Sequence, residues 1–303
     1  MTARDADATT VYAVVQAAVG RLADAGVGSP EVDAVELMAF VLGVDSAEVR
    51  RRMVMRDAME SGTTARFEML VSDRASRIPL QHLTGRAHFR HLTLEVGPGV
   101  FVPRPETESV AGHAIEATLA AIAGGTAYPL VVDLCTGSGA IALSIKDEVP
   151  GAVVYAVELS PEAHAWATRN VERTGLDIDL QLGDAVTCFG ELEGIVDVVV
   201  SNPPYIPTGA VPNDPEVRDH DPQVALYGGS ADGLAIPRLV AARAAYLLRP
   251  GGVLVMEHAD VQGATLPASL ARSGNWVDLE DLPDLNGRPR TTVARRREGA
   301  GPR

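Results

Sequence analysis

Residues 131–140 read VVDLCTGSGA, a short apolar run that enters a glycine turn and continues directly with helical spacing. Glycine permits tight turning and a close approach of the backbone to a ligand. The free N–H groups at a helix N-terminus also favour anionic or polar ligand groups. The spacing is Gly-x-Gly, without the third glycine of the dinucleotide-binding fingerprint. The stretch therefore predicts a strand, a ligand-binding turn and a helix, with a tight turn that binds nothing as the alternative.

Apolar runs and helical periods alternate from residue 128 to the end of the sequence. We predict strands at 129–134, 153–157, 178–182, 196–200, 253–256, 276–279 and 291–294. We predict helices at 140–146, 161–173, 231–248 and 261–273. Alternation of this kind is typical of a mostly parallel sheet with helices on both faces.

The first part of the chain has a different pattern. Apolar residues recur at spacings of three and four over 11–22, and residues 29–31 (SPE) have the hydroxyl and proline that start a helix. Large apolar and polar residues alternate over 89–96, which predicts a hairpin, and an extended arm follows at 101–108. We therefore predict an N-terminal helical domain at 1–77, a hairpin and extended linker at 78–105, and the sheet domain at 106–303.

The composition is globular with a strong negative charge, because 40 Asp+Glu against 26 Lys+Arg give −14 over 303 residues. This excess argues against direct nucleic-acid binding, since domains that grip phosphates are usually basic. We find no apolar run near the roughly 18 residues of a membrane span and no secretion signal. The two cysteines, Cys135 and Cys188, form no disulfide framework, which favours a reducing compartment. We therefore expect a cytoplasmic protein without membrane contact.

The sequence SNPPYI at 201–206 directly follows an apolar run and carries the strongest chemical signal. Pro203 and Pro204 have no N–H and fix the backbone, so that carbonyl groups can face a ligand from a rigid loop. Asn202 adds a side-chain acceptor, and Tyr205 adds a flat aromatic face. This set suits a planar –NH₂ group, whose two hydrogens need two acceptors and whose plane stacks on a ring. A proline-rich strand exit without chemistry is the alternative.

Acidic residues follow the second and third predicted strands of the sheet domain. Glu158 is placed to accept hydrogen bonds from both ribose hydroxyls of a nucleoside, with a solvated turn residue as the alternative. Asp184 is placed to bind an adenine amino group, or else it makes an Asx turn.

The seven histidines show no metal-ligand spacing, so we predict no metal site. The pairs His220-Asp221 and Glu257-His258 are suggestive of chemistry. We interpret both as solvated residues of loops or strand ends.

The strand–turn–helix at 131–140, Glu158 and the loop at 202–205 together resemble class I S-adenosylmethionine-dependent methyltransferases that act on planar amide or amino nitrogens. PLQHLTG at 79–85 and FVPRPETE at 101–108 resemble the linker of one branch, the HemK/PrmC family of protein-(glutamine-N5) methyltransferases. The resemblance extends over nearly the whole chain, through Phe89 and motifs at 225–226, 228–229, 232–234, 248–252, 257–258 and 284–288.

Three positions depart from the pattern of this family. Cys135 stands where the family usually has glycine, and we expect an ordinary backbone conformation there because a side chain is present. Glu158 replaces the usual aspartate and is one methylene longer. Asp221-Pro222 replaces the usual Glu-Pro. None of these changes removes a group that the chemistry needs.

The resemblance implies a Rossmann-like α/β fold with a mostly parallel seven-stranded sheet, and an enzyme that methylates the glutamine of the Gly-Gly-Gln motif in peptide chain release factors. It implies S-adenosyl-L-methionine as cofactor, S-adenosyl-L-homocysteine as product and release factors as protein partners. The implied cofactor-binding residues are Cys135, Thr136, Gly137, Ser138, Gly139, Glu158, Asp184, Ala185 and Asn202. The implied substrate-binding residues are Asn202, Pro203, Pro204 and Tyr205, of which Asn202, Pro203 and Tyr205 are catalytic.

Other functions stay open at this point. A glutamine methyltransferase of a ribosomal protein has a similar layout and differs only in the linker and N-terminal details. An N6-adenine DNA methyltransferase uses the same type of loop on a flipped base, but it needs a basic face and a target-recognition domain. A non-catalytic module that binds the cofactor and a partner protein has no use for two amide-directed acceptors.

Overall fold

The computed structural model describes residues 10–59 and 62–299. The contacts divide them into two compact units. One unit extends to Gly85 and includes Pro212–His220, and the other comprises Arg86–Val211 and the residues from Asp221 onward. The domain boundaries predicted from the sequence, after residues 77 and 105, stay predictions.

The secondary structure of the described residues follows the change of pattern in the sequence. The helices are α1 (Val11–Asp24), α2 (Pro30–Leu42), α3 (Ser46–Met55), α4 (Thr63–Ala75), α5 (Leu80–Thr84), α6 (Thr107–Ala123), α7 (Ala140–Glu148), α8 (Pro161–Thr174), α9 (Pro215–His220), α10 (Ala235–Leu247) and α11 (Thr265–Ser273). The strands are β1 (Arg86–Phe89), β2 (Leu92–Glu95), β3 (Leu130–Leu134), β4 (Val153–Glu158), β5 (Asp179–Leu182), β6 (Val196–Ser201), β7 (Leu248–Glu257), β8 (Trp276–Pro283) and β9 (Pro289–Arg296). Short 3-10 helices lie at Gly190–Leu192, Gln223–Ala225 and Asp260–Gln262.

Helices α1 to α4 bury their apolar stripes in the core of the first unit. The side chain of Thr10 caps α1 by accepting from the Ala13 N–H at 3.2 Å, and Asp45 caps α3 by accepting from Glu48 at 2.7 Å. The spacings of three and four place the apolar side chains on one side of each helix. The largest fully buried ones here are Leu22, Leu37, Met38 and Phe67. No helix of the described residues is both long and apolar enough to cross a membrane.

A buried cluster of ion pairs joins α9 to α2 and α4 within the first unit. Arg74, whose side chain is 8% exposed, donates to Asp33 at 2.7 Å and to Glu216 at 2.6 Å. Arg77 donates to both carboxylate oxygens of Glu216, at 2.7 and 2.5 Å. Burial alone would raise the pKa of Glu216, but hydrogen bonds, chiefly from Arg77, hold it well below its ordinary value.

Glu216→Ala is expected to lower the free energy of unfolding by about 2 kcal/mol at pH 7, because it deprives the buried Arg74 guanidinium of one carboxylate. Since the native pKa of Glu216 is depressed, this contribution is fully present above its unfolded pKa, about 4.3, and is lost as the pH falls further. Urea unfolding between pH 7 and pH 3 measures both effects. The control Glu68→Ala removes an exposed ion pair with Arg21 and should cost less than about 1 kcal/mol. Equal losses for the two variants at pH 7 would contradict the prediction.

The second unit is built on a seven-stranded sheet in the order β5-β4-β3-β6-β7-β9-β8. Strands β3 to β7 pair in parallel, and β9 runs antiparallel to both of its neighbours. The predicted α/β class with a mostly parallel sheet is confirmed. Strands β1 and β2 pair antiparallel as a separate hairpin. A hairpin is predicted here, but it begins at Arg86, three residues before the predicted range of 89–96.

The central strands are apolar on both faces because helices cover both faces of the sheet. Every residue of β6 is buried. Val132 and Val199 belong to an apolar cluster that includes residues of α10 and α11. Their neighbours Val131 and Val198 belong to the opposite cluster, with residues of α6 and α7.

Several predicted elements of the second unit have different bounds, and two of them differ for reasons that the structure shows. The helix predicted at 231–248 begins only at Ala235, because Gly233 has a φ of +71° and ends a turn that precedes the helix. The strand predicted at 253–256 extends over Leu248–Glu257, because pairing with β6 on one side and β9 on the other continues beyond the apolar run.

The connections of the sheet bring several strand ends to one place. Because β3, β4, β5 and β6 are parallel, their carboxyl ends meet at the same edge of the sheet. Strands β3 and β6 lie side by side although the chain passes through β4 and β5 between them. Open α/β sheets bind ligands at such a point, where the strand order reverses.

Candidate active site

A cavity of about 310 Å³ opens at this edge of the sheet. Its walls include the segments that follow β3, β4, β5 and β6, as is usual for ligand sites in α/β folds. Of the predicted site residues, all of which the structure describes, the lining contains Cys135, Thr136, Gly137, Ser138, Glu158, Asp184, Ala185, Asn202 and Pro204. The predicted residues outside the lining are Gly139, Pro203 and Tyr205.

Asp133 holds the glycine turn after β3. Its Oδ2 accepts from the Thr136 hydroxyl at 2.6 Å and from the Ala142 N–H at 3.1 Å, so that one carboxylate ties the turn to α7. Burial raises the pKa of Asp133 to about 7, and these two hydrogen bonds oppose the rise. Sequence reasoning missed this role of Asp133, although a single acid inside an apolar strand is a signal for it.

Cys135 adopts a left-handed backbone conformation with a φ of +68°. The expectation of an ordinary conformation at this position is therefore wrong. The chain turns at this residue after β3, so that the Thr136 N–H donates a hydrogen bond to the Val157 carbonyl at 3.0 Å. That hydrogen bond offsets part of the roughly 1–2 kcal/mol that a left-handed L-residue costs. Burial raises the pKa of the Cys135 thiol above its ordinary value, so the thiol stays neutral at pH 7.

Glu158 ends β4 and directs both carboxylate oxygens to backbone N–H groups. Oε2 accepts from Gly137 and Oε1 accepts from Ser160, both at 2.8 Å. Burial raises the pKa of Glu158, and the N–H groups oppose the rise. Each carboxylate oxygen has a second lone pair, so acceptor capacity remains for two hydroxyl groups in the cavity. A ribose diol fits this arrangement despite the extra methylene of glutamate.

Glu158→Ala is expected to weaken the binding of S-adenosyl-L-methionine by roughly 10- to 100-fold, because hydrogen bonds to a charged acceptor are lost. Isothermal titration calorimetry measures the dissociation constant. The control Glu172→Ala removes an exposed carboxylate of α8 and should leave the affinity unchanged. A change below threefold in folded Glu158→Ala would contradict the ribose role.

Asp184 follows β5 and makes the Asx turn that the sequence allowed as an alternative. Its Oδ1 accepts from the Val186 N–H at 2.9 Å. Asp184 and Ala185 also line the cavity. The turn leaves the second carboxylate oxygen for an adenine amino group, and that contact stays a prediction.

The loop at 202–205 is fixed at both ends. The Ser201 hydroxyl donates to the Leu134 carbonyl at 2.6 Å, which ties the loop to β3. Gln262 Nε2 donates to the Tyr205 carbonyl at 2.9 Å. Because two successive prolines also restrict the backbone, the loop presents its side chains from a rigid frame.

The two polar side chains of this loop contact residues on other elements. Asn202 Nδ2 donates to Thr107 Oγ1 at 3.3 Å, and the Tyr205 hydroxyl donates to Glu257 Oε1 at 3.1 Å. Burial raises the pKa of Tyr205 above its ordinary value, so the phenol is protonated at neutral pH. Sequence reasoning missed Thr107, because its contact with Asn202 links residues far apart in the chain.

The interpretation of Glu257, His258 and Asp221 as solvated residues is wrong. Glu257 is 2% exposed and His258 is 0% exposed, because β7 is enclosed between β6 and β9. His258 Nε2 lies 3.0 Å from Asp281 Oδ1. Asp221 is buried and accepts from Arg104 at 2.7 Å. Among the described residues, no three His, Cys, Asp or Glu side chains are grouped so as to hold a metal ion.

Comparison with known proteins assigns the chain to a family. Residues 13–85 match the PrmC N-terminal domain, and residues 117–214 match the Methyltransferase small domain. The chain is 52% identical over 287 residues to the release factor glutamine methyltransferase of Streptomyces coelicolor, with 94% of this chain and 98% of that protein covered. The chain belongs to the release factor glutamine methyltransferase family. The resemblance to the HemK/PrmC family is thereby confirmed.

Further known proteins are similar to this chain, and not all of them carry the same name. The release factor glutamine methyltransferase of Bifidobacterium longum is 45% identical, with 93% of this chain and 98% of that protein covered. A 4-amino-L-phenylalanine/4-methylamino-L-phenylalanine methyltransferase of Streptomyces pristinaespiralis is 39% identical, with 93% and 94% covered. A solved methyltransferase of Pyrococcus furiosus is 19% identical with a TM-score of 0.51, over 75% of this chain and 99% of that chain, and it shows the fold alone.

Membership of the release factor glutamine methyltransferase family makes the chain a methyltransferase enzyme and supports S-adenosyl-L-methionine as its cofactor. The residues of the cavity fit this cofactor. The glycine turn at 135–139 lets a ligand approach the backbone closely, and Glu158 has acceptor capacity for a diol. Asp184 and Ala185 line the wall after β5.

Proposed function

We propose that the protein transfers the methyl group of S-adenosyl-L-methionine to the side-chain amide nitrogen (N5) of the glutamine in the Gly-Gly-Gln motif of peptide chain release factors. S-adenosyl-L-homocysteine is the second product. The observation that carries the proposal is the rigid loop at 202–205, which follows β6 and presents Asn202 and Pro204 to the cavity. The names of the relatives support the substrate.

An amide nitrogen is a poor nucleophile because its lone pair is delocalised into the carbonyl group. S-adenosyl-L-methionine supplies an electrophilic methyl group on a sulfonium sulfur. The Asn202 side-chain oxygen and the Pro203 carbonyl accept the two N–H hydrogens of the substrate amide, which orients it and increases the electron density on nitrogen. Tyr205 packs on the amide plane. Positioning and electrostatic stabilisation therefore account for most of the catalysis.

The proton balance of this reaction requires no strong general base. The nitrogen becomes acidic as it is methylated, so the proton leaves to water. The buried Asp133 and Tyr205 are engaged in hydrogen bonds within the fold. We assign no residue to proton abstraction.

In this proposal, each predicted domain has its own role. Residues 1–77 dock the release factor, 78–105 connect the two parts, and 106–303 hold the cofactor and the glutamine. The partner is a protein in the cytoplasm, and the net charge of −14 disfavours direct contact with nucleic acid.

Intact mass spectrometry of a purified, unmethylated release factor tests the proposal. Incubation with this protein and S-adenosyl-L-methionine should add one methyl group. Replacing the glutamine of the Gly-Gly-Gln motif with alanine should abolish the gain and is the matched control.

A failed reaction contradicts the proposal if calorimetry shows that the cofactor binds. In parallel incubations, methylation of a ribosomal protein instead of the release factor would assign the chain to the other glutamine substrate. Methylation of free 4-amino-L-phenylalanine would indicate the activity that is named for the Streptomyces pristinaespiralis relative. Methylation of adenine in DNA would establish the remaining alternative.

A further inference from the structure

Gln262 is a buried glutamine that does not line the cavity. It ends the short 3-10 helix that follows β7. Its Nε2 donates to the Tyr205 carbonyl and to the Asp232 carbonyl, both at 2.9 Å. Its Oε1 accepts from the Ala259 N–H, also at 2.9 Å. Both hydrogens and the oxygen of the side-chain amide therefore have backbone partners.

These three partners allow the Gln262 amide only one orientation. A carbonyl oxygen only accepts hydrogen bonds, so the –NH₂ group must face Tyr205 and Asp232. The Ala259 N–H only donates, so the amide oxygen must face it. A reversed amide would bring oxygen against oxygen twice and N–H against N–H once. Because the site is buried, each such mismatch is costly.

The segment that carries Gln262 is anchored to the sheet. The His258 N–H donates to the Arg290 carbonyl of β9 at 3.0 Å, and His258 Nε2 lies 3.0 Å from Asp281 Oδ1 of β8. The Gln262 N–H donates to the Ala259 carbonyl at 2.8 Å and closes the turn. The amide of Gln262 is therefore presented from a segment that two strands hold in place.

Gln262 joins the loop at 202–205, here called the substrate loop, to the turn at 228–233. The two backbones approach closely, because a Cβ added at Gly228 would lie 3.0 Å from the Pro204 carbonyl oxygen. Gln262 binds one carbonyl of the loop and one of the turn with the same –NH₂ group. Loss of this group would free the loop from the turn at that point.

We propose that Gln262 is a positioning residue, which holds the Tyr205 carbonyl and thereby fixes the place of the substrate loop beside the cavity. The Tyr205 hydroxyl donates to Glu257 at 3.1 Å, so this residue is held both at its backbone and at its ring. The inference rests on the proposed function for the role of the loop, in which Asn202 and Pro203 accept from the substrate amide. The hold on the loop is a property of the free protein.

Gln262→Met and Gln262→Leu test the proposal, because both nearly fill the space of glutamine and neither side chain can donate to the Tyr205 carbonyl. Each should lower kcat for release-factor methylation by roughly tenfold or more, since a small displacement of a positioning group has a large effect on rate. The KM for the release factor should stay within about threefold. The dissociation constant of S-adenosyl-L-methionine should stay within about twofold, because Glu158 and the turn at 135–139 are unchanged.

A second readout needs no substrate. The Ile206 N–H donates to the Leu226 carbonyl and the Thr208 N–H to the Ser230 carbonyl, both at 2.8 Å. These amides lie just after the substrate loop and report on its opening. Their hydrogen exchange should be roughly tenfold faster in Gln262→Met than in the wild type, measured relative to the amides of β4.

Asp197→Ala is the matched control. Asp197 is also buried, but it lies at the opposite edge of the sheet from the cavity, where it accepts from the Leu130 N–H at 2.8 Å and from Arg249 Nε at 2.7 Å. Its removal also deprives buried groups of their partner and should lower the free energy of unfolding. It should nevertheless keep wild-type kcat and wild-type exchange of Ile206 and Thr208 relative to β4.

Unchanged kcat in folded Gln262→Met and Gln262→Leu would overturn the proposal, and so would unchanged exchange of Ile206 and Thr208. An equal loss of kcat in Asp197→Ala would also overturn it, because general destabilisation would then explain the effect. If the wild type methylates no release factor, the proposed function fails, and the exchange rates still decide whether Gln262 holds the substrate loop.

Discussion

Asn202→Ala is expected to lower kcat for release-factor methylation by roughly 10²- to 10³-fold, the usual loss when a preorganised group that stabilises the transition state is removed. The rest of the loop should stay in place, because Ser201 and Tyr205 keep their hydrogen bonds to Leu134 and Gln262. The dissociation constant of S-adenosyl-L-methionine should therefore change much less than kcat. Single-turnover methylation and calorimetry measure the two quantities separately.

The control for this variant is Asn286→Ala, which truncates an exposed asparagine in the turn between β8 and β9. It should keep wild-type turnover. Near-normal turnover in folded Asn202→Ala would show that the side-chain oxygen is dispensable. The Pro203 carbonyl and Tyr205 would then have to orient the substrate amide alone.

The fold and the location of the cavity could be predicted from the sequence because their signals are local. An apolar run, a glycine turn and a helical period at 131–140 predict β3 and α7 from a single stretch. The loop at 202–205 is equally local, since its prolines and its position after β6 are visible in six residues. Parallel strands then bring these segments to one edge of the sheet.

The features that sequence reasoning missed depend on residues that are far apart in the chain. Thr107 contacts Asn202, and Glu257 contacts Tyr205. The end of β7 is buried because β9, which comes later in the chain, pairs with it. The residues next to Glu257 in the sequence do not show this pairing. The prediction for Cys135 was wrong for another reason: the turn after β3 requires a left-handed conformation there. The hydrogen bond from the Thr136 N–H to Val157 of β4 offsets part of the cost of that conformation.

Gly233→Ala is expected to lower the free energy of unfolding by roughly 2–5 kcal/mol, because two costs add. A left-handed conformation, here with a φ of +71°, costs an L-residue about 1–2 kcal/mol, and overpacking costs a further 1–3. An added Cβ would lie 2.1 Å from the Tyr205 carbonyl oxygen and 2.9 Å from Gln262 Nε2. Since Gln262 holds that carbonyl, the substrate loop must move. Urea unfolding and the methylation rate should therefore both respond.

Gly209→Ala separates the two costs. Gly209 has a φ of +87° and lies just after the same loop, but an added Cβ there would meet no atom within 4 Å. It should show only the conformational cost and keep most of its turnover. Gly233→Ala should lower the free energy of unfolding by about 1–3 kcal/mol more than Gly209→Ala does. It should also lower turnover at least tenfold, since a small displacement of a positioning loop has a large effect on rate. If the two variants were equally stable and equally active, the space beside the Tyr205 carbonyl at Gly233 would not limit the position of the substrate loop.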